Sequence, residues 1–134
     1  MLELILGTVF LIYLLFIGQL IYGFNRMRRF SKTEFTPKTS FTIVVPFRNE
    51  KENLPNLLHS ISLLHYPKKL VEVILVDDDS EEVFSVQHSV FSLKVIKNER
   101  KSNSPKKDAI ETAIQIAKND WIITTDADCL VQKD

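Results

Sequence analysis

The chain has 134 residues and balances 17 lysines and arginines against 17 aspartates and glutamates. A zero net charge gives no overall field that would attract a nucleic acid, so no nucleic-acid partner is expected. All three glycines, Gly7, Gly18 and Gly23, lie in an apolar N-terminal stretch. Because no glycine follows, the chain lacks both the P-loop and the G-x-G-x-x-G dinucleotide loop, and any phosphate must be held by side chains and metal.

The first predicted element is a membrane-spanning helix. No charged residue occurs from Leu4 to Asn25, and a helix of that length spans about 33 Å, enough to cross a bilayer once. Basic residues follow this run, whereas only Glu3 precedes it, so the positive-inside rule places the remainder in the cytoplasm. The sequence therefore predicts a transmembrane anchor at residues 1–25, a basic juxtamembrane linker at 26–40 and a soluble domain at 41–134.

The soluble part alternates predicted strands and helices. Short apolar runs rich in β-branched residues predict buried strands, and apolar residues at helical spacing predict helices. The predicted strands are Phe41–Pro46, Val71–Val76 and Leu93–Ile96, and the predicted helices are Leu54–Leu64, Glu81–Val90 and Ala109–Ala117. Asn53 is the expected N-cap of the first of these helices. The segment Lys97–Lys107 is rich in basic and turn-forming residues, which predicts an exposed loop.

A fourth strand is predicted at Trp121, and it carries two carboxylates to its end. Its residues suit a buried, pleated surface, and the strand is followed by Asp126 and Asp128. Side chains alternate along an extended segment, so the two carboxylates can point the same way. Like charges so close repel each other, and a divalent cation such as Mg²⁺ or Mn²⁺ relieves that repulsion. The pair therefore predicts a metal site. The simpler alternative is a polar loop after a strand.

This alternation predicts a Rossmann-like α/β fold, a mostly parallel sheet with helices on both faces. With the strand order 3-2-1-4, the first and fourth strands are neighbours and a crevice opens at their carboxyl ends. Polar clusters follow three of the predicted strands: Arg48-Asn49-Glu50, Asp77-Asp78-Asp79, and Asp126 with Asp128. Because parallel strands end at one edge of the sheet, these clusters are expected to form one functional site.

The segments resemble the nucleotide-binding half of a family 2 glycosyltransferase of the GT-A type. The resemblance covers about residues 41–130 and rests on Val45-Pro46-Phe47-Arg48-Asn49-Glu50, Val76-Asp77-Asp78-Asp79-Ser80, Lys106 and Asp126-Ala127-Asp128. It implies a donor site formed by Pro46, Arg48, Glu50, Asp78, Lys106 and Asp126. It also implies that Asp128, with Asp126, binds Mg²⁺ or Mn²⁺, and that Asp78 accepts a hydrogen bond from the N3–H of uracil.

The function implied by this resemblance is that of a membrane-anchored, metal-dependent glycosyltransferase. Such an enzyme transfers a sugar from a nucleotide-diphosphate donor, expected to be UDP-linked, to an unidentified glycan or lipid acceptor in cell-envelope glycan or glycolipid synthesis. A divalent metal stabilises the charge that builds on the departing diphosphate. The acceptor site and catalytic base of the family follow its D-x-D motif. Both are expected beyond residue 134, so the chain is expected to be an incomplete GT-A domain without activity of its own.

The sequence departs from the family pattern at two positions. Asp79 stands where the family often has glycine, and aspartate tolerates a left-handed backbone less well. Pro105 stands where a glycine commonly precedes the lysine. Two alternatives to a transferase are a haloacid-dehalogenase-like phosphatase, whose apolar strand also ends in D-x-D, and a non-catalytic membrane-anchored binding module.

Four residues near the predicted site have simpler structural interpretations. Asp77 is expected to end its strand, and Asp79 to cap the helix predicted after it. Trp121 is expected to pack in the core. Cys129, the only cysteine, excludes an intrachain disulfide and is expected to be a small packing residue.

Overall fold

The computed structural model of the chain describes residues 1–27, 36–85 and 89–132. Two compact units form, residues 1–35 and residues 36–134. The basic juxtamembrane linker expected at residues 26–40 is described only at its two ends. Its arginines and lysine at positions 28, 29 and 32 lie outside the described residues.

The first unit contains one long helix, α1, from Leu2 to Arg26. No side chain of this helix is buried, although the segment is strongly apolar. Among the described residues it is the one helix that is long and apolar enough to cross a membrane. Its bounds enclose the uncharged run that the sequence marks as a membrane span.

The second unit is built on a four-stranded sheet. The strands are β1 Phe41–Phe47, β2 Val71–Asp77, β3 Ser92–Lys97 and β4 Trp121–Thr124. All pairs are parallel, and the order is β3-β2-β1-β4. Both the parallel pairing and the predicted strand order are confirmed. The carboxyl ends of β1, β2 and β4 therefore lie along one edge of the sheet.

One helix packs on each face of this sheet. Helix α2, Leu54–Ser62, places Leu54, Leu57 and Ile61 on the face that contains the odd-numbered side chains of β1 and β2. Helix α3, Pro105–Ile114, places Ala109 and Ala113 on the opposite face, against Val44, Ile74 and Val76. The predicted fold class, an α/β sheet with helices on both faces, is confirmed.

One local helix prediction is confirmed in position only, and another is wrong. Asn53 occupies the N-cap position of α2, but its side chain makes no capping bond and instead donates a hydrogen bond to Glu50 at 2.6 Å. Its own backbone is already helical (φ −84°, ψ −35°), a geometry unlike the extended one that an N-cap usually adopts. The helix expected over 81–90 is not formed at residues 81–85 or 89–90, and residues 86–88 lie outside the described part.

The fourth strand is less buried than its composition predicts. Ile122 packs with the apolar residues on the face that α3 covers. Because side chains alternate between the two faces along a strand, Trp121 and Ile123 lie on the opposite face. Helix α2 covers β1 and β2 on that face, and Trp121 is left 68% exposed. The expected core position of Trp121 is therefore wrong, as is the packing role of Cys129, which is also exposed.

A buried carboxylate ties the sheet to the segment between α3 and β4. Glu72 of β2 is 2% exposed, and its Oε2 accepts hydrogen bonds of 2.9 Å from the Thr42 hydroxyl and from the Lys118 backbone N–H. Its Oε1 faces the Lys94 ammonium as an ion pair at 3.0 Å. Burial raises the pKa of Glu72, but the Lys118, Lys94 and Thr42 contacts outweigh it, so the pKa lies below its ordinary value of 4.5.

We expect Glu72→Gln to lower the free energy of unfolding by about 2 kcal/mol at neutral pH, because it weakens charge-assisted hydrogen bonds. A lowered folded-state pKa stabilises the fold above the unfolded pKa, near 4.5, and this contribution is lost as the pH falls through the folded pKa. The deficit of the variant should therefore shrink in acid. Urea titrations of the full chain in detergent, followed by circular dichroism, measure it.

The matched control is Glu82→Gln. Glu82 forms an ion pair with Lys51 in which both side chains are more than half exposed, and such pairs contribute little to stability. An equal deficit for Glu72→Gln at neutral and acid pH would contradict the role assigned to this carboxylate.

Candidate functional site

The candidate site begins where the strands end. Beyond the regular strands, sheet-like bonds continue from the Asp78 N–H to the Phe47 carbonyl and from the Asn98 N–H to the Asp77 carbonyl, both 2.8 Å. On the other side, the Thr125 N–H donates to the Val44 carbonyl at 3.2 Å. These bonds fix the first residue of each loop, so the loops leave the sheet side by side.

A cavity of about 310 Å³ opens at this edge, between the loops that follow β1 and β4 and the start of α3. It is lined by Pro46, Phe47, Arg48, Glu50, Lys106, Asp126, Ala127 and Asp128. The lining includes every residue that the sequence predicts for the site except Asp78. The cavity therefore joins the predicted clusters after β1 and β4 with Lys106 of α3, and the predicted cluster at Asp77–Asp79 does not line it.

The charges within the cavity are already paired in part. The Lys106 ammonium donates to Asp126 Oδ1 at 2.5 Å. This bond and the nearby Asp126 charge, with a smaller contribution from Asp128, raise the pKa of Lys106. Glu50 accepts a hydrogen bond from the Asn53 amide at 2.6 Å. The cavity thus holds cationic and anionic groups within reach of one another.

The two aspartates provide the oxygen donors that a hard divalent cation prefers. No group of three or more His, Cys, Asp or Glu side chains suited to a metal forms among the described residues. A cation bound by one or two carboxylates that completes its shell with phosphate oxygens and water needs no such group. Asp126 and Asp128 fit that kind of site, provided that Asp126 offers its second oxygen or releases Lys106.

Asp78 lies beside this cavity and has its own partners. Arg100 donates from Nε to Oδ1 at 2.8 Å and from Nη2 to Oδ2 at 2.7 Å, and Asn98 donates from Nδ2 to Oδ1 at 2.6 Å. The Arg100 and Asn98 bonds lower the pKa of Asp78 despite burial, with a further contribution from the charge of Arg48. Arg48 thus lines the cavity and also acts electrostatically on Asp78.

Asn98 and Arg100 belong to a loop that the sequence pattern indicates only as an exposed basic segment. The loop is held by Asp108 of α3, whose carboxylate accepts the backbone N–H groups of Lys101 and Ser102 at 2.9 and 2.8 Å and the Ser102 hydroxyl at 2.8 Å. These bonds keep the pKa of Asp108 low. One signal was available: the loop follows the carboxyl end of the third predicted strand, at the same edge as the other clusters.

The loops after β1 and β2 are joined to each other. The Asn49 N–H donates to the Ser80 hydroxyl, and the Asn49 side-chain oxygen accepts the Glu81 N–H, both at 2.9 Å. Asn49 and Asp79 have left-handed backbones, with φ of 56° and 68°. Asp79 is therefore not a helix cap, and it adopts at this position the conformation that glycine favours. Asp77 ends β2 as predicted and accepts the Ser80 N–H at 2.9 Å.

The family description "Glycosyl transferase family 2" matches residues 42–134. This chain belongs to glycosyltransferase family 2. Over 98 residues it is 28% identical to the poly(ribitol-phosphate) beta-N-acetylglucosaminyltransferase TarS of Staphylococcus aureus, covering 70% of this chain and 17% of TarS. Over 95 residues it is 32% identical to a probable glycosyltransferase of Sulfolobus acidocaldarius, covering 65% of this chain and 20% of that protein. The chain thus spans about a fifth of the length of these relatives.

Solved structures share the fold of this family 2 domain. The crystal structure of S. aureus TarS residues 1–349 in complex with UDP-GlcNAc superposes with a TM-score of 0.58 at 27% identity, over 71% of this chain and 28% of that one. A mannosyltransferase from Pyrobaculum calidifontis, in complex with GDP-Man and Mn²⁺, gives 0.57 at 24% identity, over 71% of this chain and 29% of its own. Both likenesses support a GT-A-like arrangement of the sheet and its helices.

We expect Asn49→Gly to loosen the two joined loops. Glycine keeps the left-handed backbone without strain, and the variant removes the side chain whose oxygen accepts the Glu81 N–H. Hydrogen exchange measured by mass spectrometry should become faster in peptides covering residues 48–52 and 78–82. Asn49→Asp is the matched control, because aspartate keeps an acceptor oxygen and tolerates this backbone. Unchanged exchange in Asn49→Gly would show that the side chain does not join the loops.

Proposed function

We propose that this chain is the donor-binding part of a membrane-anchored glycosyltransferase. The enzyme would transfer a sugar from a UDP-linked donor to a glycan or lipid acceptor in cell-envelope glycan or glycolipid synthesis. The observation that carries the proposal is the cavity shared by Arg48, Lys106, Asp126 and Asp128 at the carboxyl edge of the sheet. Family membership and the relatives' transferase names support it.

The cavity's residues suit a diphosphate that departs with negative charge. Arg48 and Lys106 are exposed cations on its wall, positioned to attract phosphate oxygens. Asp126 and Asp128 would hold Mg²⁺ or Mn²⁺, which stabilises the charge on the leaving phosphate when it is bound. Since residues 26–134 contain no glycine, phosphate recognition falls to these side chains and not to a glycine-rich loop.

The nucleoside end of the donor would lie toward Asp78. Arg48 connects the two regions, because it lines the cavity and its charge acts on Asp78. A hydrogen bond from Asn98 to the Pro105 carbonyl, at 3.1 Å, joins the partners of Asp78 to the start of α3, where Lys106 lies. Pro46 and Glu50 would border the nucleotide from the β1 loop.

The alternatives receive less support from the structure. In the phosphatase alternative, the D-x-D motif usually opens the domain, whereas Asp126 follows the fourth strand of this sheet. Membership of glycosyltransferase family 2 favours the transferase. The second alternative is a membrane-anchored binding module without turnover, and sugar transfer by the protein would exclude it.

We expect UDP to bind the full chain in detergent in a Mn²⁺-dependent manner, as measured by calorimetric titration. Asp128→Asn should weaken Mn²⁺-dependent binding by about tenfold or more, because it removes a charged metal ligand. Asp120→Asn is the matched control, since Asp120 is an exposed aspartate that precedes the same strand at its opposite end. Circular dichroism must show that each variant is folded.

Two results of this titration would contradict the proposal. A folded wild-type chain that ignores UDP with and without Mn²⁺ has no donor site. Equal effects of Asp120→Asn and Asp128→Asn would show that carboxylates act through general charge and not through a metal at the D-x-D motif.

We also propose that α1 anchors the protein, with residues 36–134 on the cytoplasmic side. Cys129 is the only cysteine and is exposed, so a membrane-impermeant maleimide reports its side of the membrane. We expect labelling only after intact expressing cells are permeabilised, and loss of carbonate-resistant pelleting when residues 1–27 are deleted. In a Cys129→Ser background, Glu3→Cys should be labelled in intact cells. Labelling of Cys129 without permeabilisation would show that residues 36–134 lie on the outer side of the membrane and would contradict the proposed orientation.

A further inference from the structure

The carboxylate of Asp78 has almost no acceptor capacity left. An ionised carboxylate offers about four lone-pair positions, two on each oxygen. Oδ1 accepts from Arg100 Nε at 2.8 Å and from Asn98 Nδ2 at 2.6 Å, while Oδ2 accepts from Arg100 Nη2 at 2.7 Å. Three positions are therefore filled by described residues, and one position, on Oδ2, is left for a ligand.

The manner in which Arg100 binds Asp78 matters as much as the number of bonds. Its two N–H groups reach the two different oxygens, the bidentate fork that arginine makes with carboxylates. Guanine presents a similar pair of neighbouring donors, N1–H and the exocyclic N2–H, and would need both oxygens of one carboxylate. Uracil has a single donor on the corresponding edge, N3–H, between two carbonyl oxygens. Arg100 thus occupies the pair that guanine requires and leaves the one acceptor that uracil requires.

The arrangement is held in place from several directions. The Asp78 side chain is only 12% exposed, so water cannot readily replace a lost partner. The Asn98 amide nitrogen that donates to Asp78 also donates to the Pro105 carbonyl. The loop beyond Arg100 is fixed by the three bonds to Asp108. Withdrawing Arg100 to admit guanine would leave a poorly solvated carboxylate without its main counter-charge, which is unfavourable.

We propose that Arg100, assisted by Asn98, is a specificity-determining residue that restricts the Asp78 subsite to uridine and excludes guanosine nucleotides. The inference rests on the proposed donor-binding function and specifies its base. The fold alone does not decide this point, because solved structures of similar fold are in complex with UDP-GlcNAc in one case and GDP-Man in another. The acceptor positions left on the Asp78 carboxylate determine which base can bind.

The test compares UDP and GDP binding by calorimetric titration of the full chain in detergent with Mn²⁺. The readout is the ratio of the two dissociation constants, because general damage to the site weakens both nucleotides and leaves the ratio unchanged. We expect the wild type to prefer UDP. Arg100→Ala should lower that preference by about tenfold, the effect of roughly one hydrogen bond to a charged group.

Two further variants distinguish the bidentate bonding of Arg100 from the effect of its positive charge. Arg100→Lys keeps the positive charge but, as a single ammonium, cannot bridge both oxygens in the same way, so it should lower the preference as Arg100→Ala does. Lys101→Ala removes a neighbouring exposed cation that pairs with Glu99 at 3.5 Å, and it should leave the ratio unchanged.

The outcomes distinguish the two proposals. A folded wild type that binds neither nucleotide overturns the donor-binding function, and the base preference with it. A wild type that binds UDP and GDP equally, or Arg100 variants that keep the wild-type ratio, overturn the role of Arg100 and leave the donor site standing.

Discussion

The pairing of β1 between β2 and β4 determines where every candidate site residue lies. Because all three strands are parallel, their carboxyl ends share one edge, and each loop that leaves this edge begins beside the others. The apolar clusters on both faces hold the pairing in place: α2 packs on one face and α3 on the other. Lys106 reaches the edge because α3 begins there. A different strand order would scatter the same residues.

Loops without glycine must reach tight conformations by other means. Asn49 and Asp79 take left-handed backbones at the ends of neighbouring strands, and short polar side chains tolerate that conformation better than most. Their strain is offset by local bonds: Asn49 joins Ser80 and Glu81, and Asp77 holds the Ser80 N–H. The loops that border the site are therefore shaped by side-chain hydrogen bonds.

The sequence predicts the strands and their order well, but it predicts poorly which side chains contact each other. Strand positions, strand order and the convergence of polar clusters follow from apolar periodicity and from the rules for parallel sheets. The exposure of Trp121 was missed because burial depends on which helix covers β4, and that is a property of packing. The roles of Asn98 and Arg100 were missed because loop conformation decides which side chain reaches Asp78. Asp108 was missed for the same reason.

The candidate site contains two charge pairs. Lys106 is bonded to Asp126, and Arg100 to Asp78. A diphosphate that attracted Lys106 alone would leave Asp126 without its partner, and a metal bound at Oδ1 of Asp126 would displace Lys106. A diphosphate and a divalent cation that arrived together would satisfy both groups, because the phosphate would replace Asp126 as the anion and the metal would replace Lys106 as the cation. Under the proposed function, such an exchange would replace one opposite-charge contact, between Lys106 and Asp126, with two, from Lys106 to phosphate and from Asp126 to the metal. This would favour a metal-bound nucleotide over either component alone.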